Sequence, residues 1–440
     1  METVGRFAKA VNGVLWGPPM LILLIGVHIL LTIRTRGVQR HLLRAIRLSV
    51  SKDSSAEGDV SPFGALAASL ASTIGTGNIV GVASAVALGG PGAALWCWLA
   101  GLLGMATKYG EAFLAVKYRV KTPGGTMLGG PMYALRSGVG SRPLAAAFAV
   151  FAALASFGIG SSAQAGALSG VLNAQFGAKP FWTALAAAAL AALVILGGMR
   201  SISKVCALLV PFMAAFYTIG CALVLARNAP FLGESVSLIV RGAFAPRAAA
   251  GGFAGASVMA AARYGVARGL FSNEAGLGSA PIAAAAARTD SPERQALISM
   301  TGTFWDTVVL CALTGLTIVS SAVRGPEAFR GLSGGELARA AFETIPAIGP
   351  FFLSVGLALF AFSTILGWSY YGERCVEYLF GKGAIPPYKA LYTASAFLGG
   401  VLPLGAVLDI SDTLNGLMAI PNLVSLVLLS GVVARGARGD

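Results

Sequence analysis

The amino-acid sequence predicts an all-α polytopic membrane protein of about eleven transmembrane helices, one N-terminal helix followed by a five-plus-five inverted repeat with two broken helices. Three observations carry this prediction. Of 440 residues, 56% are hydrophobic and only 11% are charged, with a mean hydropathy of +0.76. A water-soluble chain carries about a quarter charged residues. The apolar residues fall into runs of about the 20 residues that one helix needs to cross a bilayer. Two of these runs, about 180 residues apart, are interrupted by glycine-rich polar stretches.

In chain order the runs lie near 14–33, 61–88, 91–116, 144–173, 180–198, 204–226, 248–268, 296–321, 347–372, 388–406 and 412–434. The first is followed by Arg34, Arg36, Arg40, Arg44 and Arg47, the pattern of a spanning helix with a basic anchor rather than of a cleaved leader. The stretches 228–247 and 322–346 read as amphipathic and extramembranous. The second run is broken at Ser72-Thr73-Ile74-Gly75-Thr76-Gly77-Asn78, and the seventh opens with Gly251-Gly252-Phe253-Ala254-Gly255-Ala256-Ser257. Glycine-interrupted hydrophobic segments at corresponding places in two halves mark a transporter built from inverted repeats. Residues 1–60 then form an accessory helix with its basic loop, 61–227 and 228–434 the two repeats, and 435–440 a short tail.

The net charge of +14 sits in short clusters between apolar runs, so it reads as loop charge facing the cytoplasm and not as a nucleic-acid surface. With eleven spans and the amino terminus outside, the loops on the cytoplasmic side, Arg263 and Arg268 among them, hold well over twice as many Lys and Arg residues as the opposite loops. Cys97, Cys206, Cys221, Cys311 and Cys375 show no CxxC spacing, and His28 and His41 are too few for a histidine metal site. No cofactor is expected, and no nucleophile with a nearby base suggests an enzyme. Lys108 and Glu111 read as an ion pair at a membrane edge.

Chemistry concentrates at Ser72–Asn78. Glycines at 75 and 77 weaken the helix and free backbone groups, which at membrane depth must line a cavity or meet a ligand. Freed N–H groups suit a carboxylate, and freed carbonyls with Thr and Asn oxygens suit Na⁺. A close helix contact and a carbonyl pore filter remain alternatives. A nucleotide loop fits poorly, since no strand precedes the glycines. Gln164, near Ser156, Ser161 and Ser162, is either interhelical glue or a substrate contact. Ser363 and Thr364, followed by Trp368, bond back to their own helix or complete a cation shell. Asp306 is a cation relay or a helix anchor, and Asn78, Asn273 and Glu274 are gate or relay candidates. For Glu274 a salt bridge with the neighbouring Arg263 or Arg268 is favoured over direct ligation.

Several ordered blocks resemble the sodium:alanine (alanine/glycine:cation) symporter family. They are Gly75-Thr76-Gly77-Asn78-Ile79, Ala87–Ala93, Gly104–Lys108 with Glu111, and Gly129–Tyr133. Further on come Arg268-Gly269-Leu270-Phe271-Ser272-Asn273-Glu274-Ala275-Gly276-Leu277-Gly278-Ser279-Ala280, then Phe360–Trp368 and Asn415–Leu423. The resemblance covers about residues 60 to 430. It implies the leucine-transporter fold of the amino acid–polyamine–organocation superfamily with an extra N-terminal helix. It also implies import of alanine or glycine with Na⁺ across the cytoplasmic (inner) membrane; some relatives use H⁺ or prefer glutamine. By the same resemblance the substrate carboxylate meets backbone at Gly75, Thr76 and Gly77, and its amino group lies near Thr73, Gly252 and Phe253. Na⁺ meets the carbonyls of Ala71 and Ile74 and the hydroxyls of Ser363 and Thr364, while Gln164 and Trp368 line the pocket. A passive channel or a ligand-sensing receptor is the rival from another class.

Overall fold

The computed structural model describes residues 11–13, 15–51, 57–244, 257–332, 334–402 and 405–438, with backbone alone at 405–408. The described chain is mostly helical. Its helices are α1 (Pro18–Arg34), α2 (Leu42–Ser49), α3 (Pro62–Thr73), α4 (Val80–Gly89), α5 (Gly92–Lys117), α6 (Arg142–Phe176), α7 (Pro180–Leu196) and α8 (Gly198–Arg227). They continue as α9 (Leu232–Phe244), α10 (Val258–Asn273), α11 (Pro292–Arg324), α12 (Gly334–Glu343), α13 (Ile348–Phe380), α14 (Ile385–Val401), α15 (Gly405–Leu428) and α16 (Ser430–Arg438).

Local chemistry sets several of the starts. Ser61, Ser141 and Ser291 each stand before a helix with proline in its first turn, and each hydroxyl accepts a backbone N–H, from Gly64, Leu144 and Arg294 respectively. A serine cap with proline inside the first turn satisfies one exposed donor and removes another. Among the described residues, α6, α8, α11 and α13 are long and apolar enough to cross a membrane as single helices. Three bent pairs raise the number to seven: α1 with 38–49 (66°), α3 with 76–89 (62°), and 409–428 with α16 (57°). The two stretches read as amphipathic contain α9 and α12.

The first predicted break is present. Helix α3 stops at Thr73, Gly75 is extended, a 3₁₀ turn covers Thr76–Asn78, and α4 resumes at Val80. The second expected break is at Gly251–Ser257, of which residues 251–256, including Gly252 and Phe253, lie outside the described residues. A second interruption of the described helical backbone follows Asn273. Glu274, Gly276 and Gly278 have φ of 55°, 94° and 89°, and only the short turn Pro281–Ala284 follows. A left-handed run of this kind ends a helix, and two of its three positions are glycines, which adopt it without steric cost. The run also corrects the loop assignment of Arg268, which lies within α10, one turn before the break.

One end of the bundle is stitched by a small polar assembly. Strands β1 (Val120–Lys121) and β2 (Met127–Leu128) pair antiparallel with Val120 opposite Leu128. Val60, just before α3, forms a parallel bridge with Ala287, beyond the second break. The Arg119 guanidinium donates to the carbonyls of Ala285 (3.0 Å), Ala287 (2.7 Å) and Thr289 (2.5 Å). The entry of the first broken helix is thereby fastened to the exit of the second. Arg119→Ala should lower the unfolding midpoint of the purified protein, corresponding to about 2 kcal/mol for lost charge-assisted hydrogen bonds. An unchanged midpoint by intrinsic fluorescence would show that Arg119 is not the fastener.

Candidate functional site

The two breaks face each other across a cavity of about 230 Å³. Its walls come from Ser72, Thr73, Gly75, Thr76 and Gly77 of the first break, from Arg268, Phe271, Ser272 and Glu274 at the second, and from Ile159, Gln164, Thr364 and Trp368. Clefts for drug-sized ligands run from roughly 300 to 1,000 Å³, so this one suits a smaller molecule. Of the residues expected around a ligand, Thr73, Gly75, Thr76, Gly77, Gln164 and Trp368 all line it.

A cluster of oxygens forms where α3 ends. Ser363 Oγ lies 3.2 Å from the Ala71 carbonyl and 3.5 Å from that of Ile74, and Thr364 Oγ1 lies 3.4 Å from Ile74 O. Both hydroxyls also lie 2.9 Å from the Phe360 carbonyl within α13. Back-bonding and convergence on the break therefore coexist. Uncharged oxygens of this kind are the donor set a hard alkali cation requires, and unwound carbonyls supply it in broken membrane helices.

Each break is held by one buried side chain. Asn78 Oδ1 accepts the Gly75 N–H at 2.9 Å, while Asn78 Nδ2 donates to Asp306 Oδ1 at 2.7 Å. Asp306 Oδ2 in turn accepts from Thr307 Oγ1 at 2.6 Å. Asp306 thus anchors Asn78 by hydrogen bonding, and it is not among the residues that line the cavity. The equivalent holder of the second break is Glu111. Its Oε1 accepts the N–H groups of Gly276 and Gly278, both at 3.0 Å, and the Asn422 amide at 2.7 Å. Asn422 also donates to the Gly276 carbonyl at 2.9 Å. Asn273 shapes the same turn, accepting from Ala275 N at 2.9 Å and donating to Thr307 Oγ1 at 3.0 Å.

Lys108 and Glu111 form the expected pair, their charged groups 3.9 Å apart, and both are buried within the protein with side-chain exposures of 3% and 0%. One electrostatic expectation changes. Glu274 does not pair with Arg263 or Arg268. Its Oε1 accepts the Trp368 indole N–H at 3.1 Å and its Oε2 accepts the Ser279 hydroxyl. The partner is an indole because Trp368 lies across the cavity, whereas Arg268 turns toward the first break. There its guanidinium fills the space that side chains at Gly77 and Gly81 would occupy, and packs 5.0 Å from the Phe271 ring centroid. Arg268 Nε is buried and has no hydrogen-bond partner among the described residues. Arg268, Phe271 and Gly81 also border a second cavity of about 370 Å³, with Trp16 and Asp412 on its far wall.

Gln164 donates back to Ile159 O of its own helix at 3.2 Å and accepts from Thr76 Oγ1 at 3.4 Å, a bond between segments, and it lines the cavity. It follows a π-helical stretch, Ser156–Ser162, and Asp306 lies in another, Phe304–Cys311. Such stretches redirect side chains and recur at functional sites. Sequence reasoning missed Arg268 and Phe271 as cavity walls, and Glu111 and Asn422 as holders of the second break. The available signal was their presence in three of the blocks quoted above, Gly104–Lys108 with Glu111, Arg268–Ala280 and Asn415–Leu423.

Comparison with known proteins agrees with the geometry. Residues 1–438 match the model of the sodium:alanine symporter family. The chain is 48% identical over 432 residues to the sodium/alanine symporter AgcS of Methanococcus maripaludis, covering 97% of this chain and 94% of that protein. It is 37% identical over 430 residues to the probable sodium/glutamine symporter GlnT of Bacillus subtilis (96% and 87%). It is 33% identical over 439 residues to the putative sodium/proton-dependent alanine carrier protein YrbD of the same organism (96% and 90%). Among solved structures, MhsT in complex with L-phenylalanine superposes with a TM-score of 0.59 at 15% identity, covering 87% of this chain and 99% of that one. That likeness gives a leucine-transporter-like fold, and the family is one of multi-pass membrane transporters rather than enzymes. The chain belongs to the sodium:alanine symporter family.

Proposed function

We propose that the protein is a secondary active symporter that imports a small neutral amino acid, alanine or glycine, together with Na⁺ by alternating access. The observation that carries this reading is the convergence of Ala71 O, Ile74 O, Ser363 Oγ and Thr364 Oγ1 beside a 230 Å³ cavity lined by the same break. Cation and substrate then share the backbone of 71–77, so binding of one orders the site for the other. Thr76 and Gly77 open a helical segment, where N–H groups have no carbonyl one turn back, and these receive the substrate carboxylate. The unpartnered Arg268 Nε adds positive potential at that end. The ammonium end faces Thr73 and the Glu274 carboxylate. Gln164 and Trp368 close the sides, leaving room for a methyl group or a hydrogen.

In this reading Arg268 and Phe271, which border both cavities, form the partition that opens to one side. The two five-helix repeats, 61–227 and 228–434, rock around the site within an eleven-span bundle, amino terminus outside and carboxyl terminus cytoplasmic. One observation favours a second reading, coupling to H⁺. Lys108 Nζ and Glu111 Oε2 are buried behind the second break without hydrogen-bond partners among the described residues.

Three outcomes follow. Ser363→Ala combined with Thr364→Ala should raise the Na⁺ concentration for half-maximal uptake by roughly ten-fold or more, the loss of one to two oxygen contacts, at unchanged protein abundance. The same Na⁺ requirement in that double variant would remove the oxygen cluster from the cation site. Glu274→Gln should raise KM for alanine by roughly ten-fold, as expected when a charge-assisted hydrogen bond becomes neutral. A kcat loss at constant KM would make Glu274 a gate instead. Counterflow with alanine, glycine, serine and glutamine should exchange the first two and exclude glutamine. Glutamine exchange would assign the chain the larger substrate.

A further inference from the structure

We propose that a groove on the outer surface of the bundle, behind the first broken helix, binds an acyl chain of an anionic phospholipid, with the lipid headgroup held by Arg44 and Arg47. The groove holds about 520 Å³ and is lined almost wholly by apolar side chains. Its floor is Leu66, Leu70 and Ile74 of α3, the half-helix whose last carbonyls enter the oxygen cluster. One wall is α8 around Pro211, Ala214 and Ile219, and the other is Trp305 and Val309 from the π-helical stretch that carries Asp306. Both walls therefore belong to elements that pack on or anchor the first break.

The occupant follows from what surrounds the groove. Leu208, Phe212 and Ile219 of α8 are 78%, 57% and 53% exposed, so in a membrane-spanning bundle this face meets hydrocarbon. At the groove's end lies α2, which turns 66° away from α1 as part of 38–49. It contributes Ile46, Ser49 and Val50 to the lining. At 100° per residue, Leu43, Ile46 and Val50 form one apolar stripe, with Arg47 on its border and Arg44 one step further round. Both arginines are exposed and have no ion-pair partner among the described residues. Exposed Lys204 stands at the same end, next to Ser203, whose hydroxyl abuts Gly64 at the start of α3. Apolar length topped by unpaired cations is the complement of an anionic lipid.

The test uses the full chain in nanodiscs containing phosphatidylglycerol or phosphatidylcholine with brominated acyl chains at equal mole fraction. The readout is quenching of the fluorescence lost in Trp305→Phe. Trp305 emission should titrate at a roughly ten-fold lower fraction of brominated phosphatidylglycerol than of phosphatidylcholine, the preference two basic side chains give at a lipid surface. Arg44→Gln with Arg47→Gln should abolish that preference. Ala214→Leu and Ala215→Phe, each accepted only with an unchanged unfolding midpoint, should fill the groove and reduce quenching by both lipids. Equal titration by the two lipids, or a preference that survives the arginine substitutions, would overturn the anionic headgroup. Full quenching in whichever groove-filling variant folds would overturn the acyl-chain site.

Discussion

Inside a bilayer, water cannot satisfy a peptide group released from a helix, and an orphaned N–H or C=O there costs several kcal/mol. Two helical segments of this protein are interrupted in its interior, after Thr73 and after Asn273, so much of its centre depends on what satisfies those groups. Side chains carried on distant helices do so. Asn78, locked to Asp306 on α11, takes the Gly75 N–H. Glu111 on α5, locked to Asn422 on α15, takes those of Gly276 and Gly278. Each break is thus tied to a helix from a different part of the chain, and a shift of either helix must be felt at the site.

What the caps leave unused is the material of the proposed site. The carbonyls of Ala71 and Ile74 turn toward Ser363 and Thr364, and the 3₁₀ turn that begins at Thr76 lines the cavity. In the proposed function, carboxylate recognition, ammonium recognition and cation binding all draw on residues 71–77, with charges supplied by Arg268 and Glu274 from the opposite break. The bridge between Val60 and Ala287 and the Arg119 clamp then link the outer ends of the same two segments. The interrupted segments thus meet at the cavity and again at one end of the bundle.

The first break was legible because Gly75, Gly77 and Asn78 are improbable in an uninterrupted apolar helix. The membrane-spanning character was legible from composition alone. The interruption after Asn273 was not legible for a physical reason. The charges of Arg268 and Glu274 made that segment look like a solvent loop. Burial of the Glu274 side chain and of Arg268 Nε is a tertiary fact with no local signature. The same holds for Glu111, whose partners lie 165 and 311 residues away, and for the π-helical turns, which leave no period to read. The resemblance to a known family supplied the residue roles at Ala71, Ile74, Ser363 and Thr364. Their own context offered only back-bonding.

The central claim is that the oxygen cluster and the cavity work as one site, so that a sodium gradient drives accumulation of the amino acid. Proteoliposome uptake of labelled alanine, measured at fixed pH with an inward Na⁺ gradient and again with choline replacing Na⁺, tests this directly. Concentrative uptake with Na⁺, and none above equilibration with choline, is the result expected. Equal accumulation in both, or equilibration without accumulation in either, would contradict it.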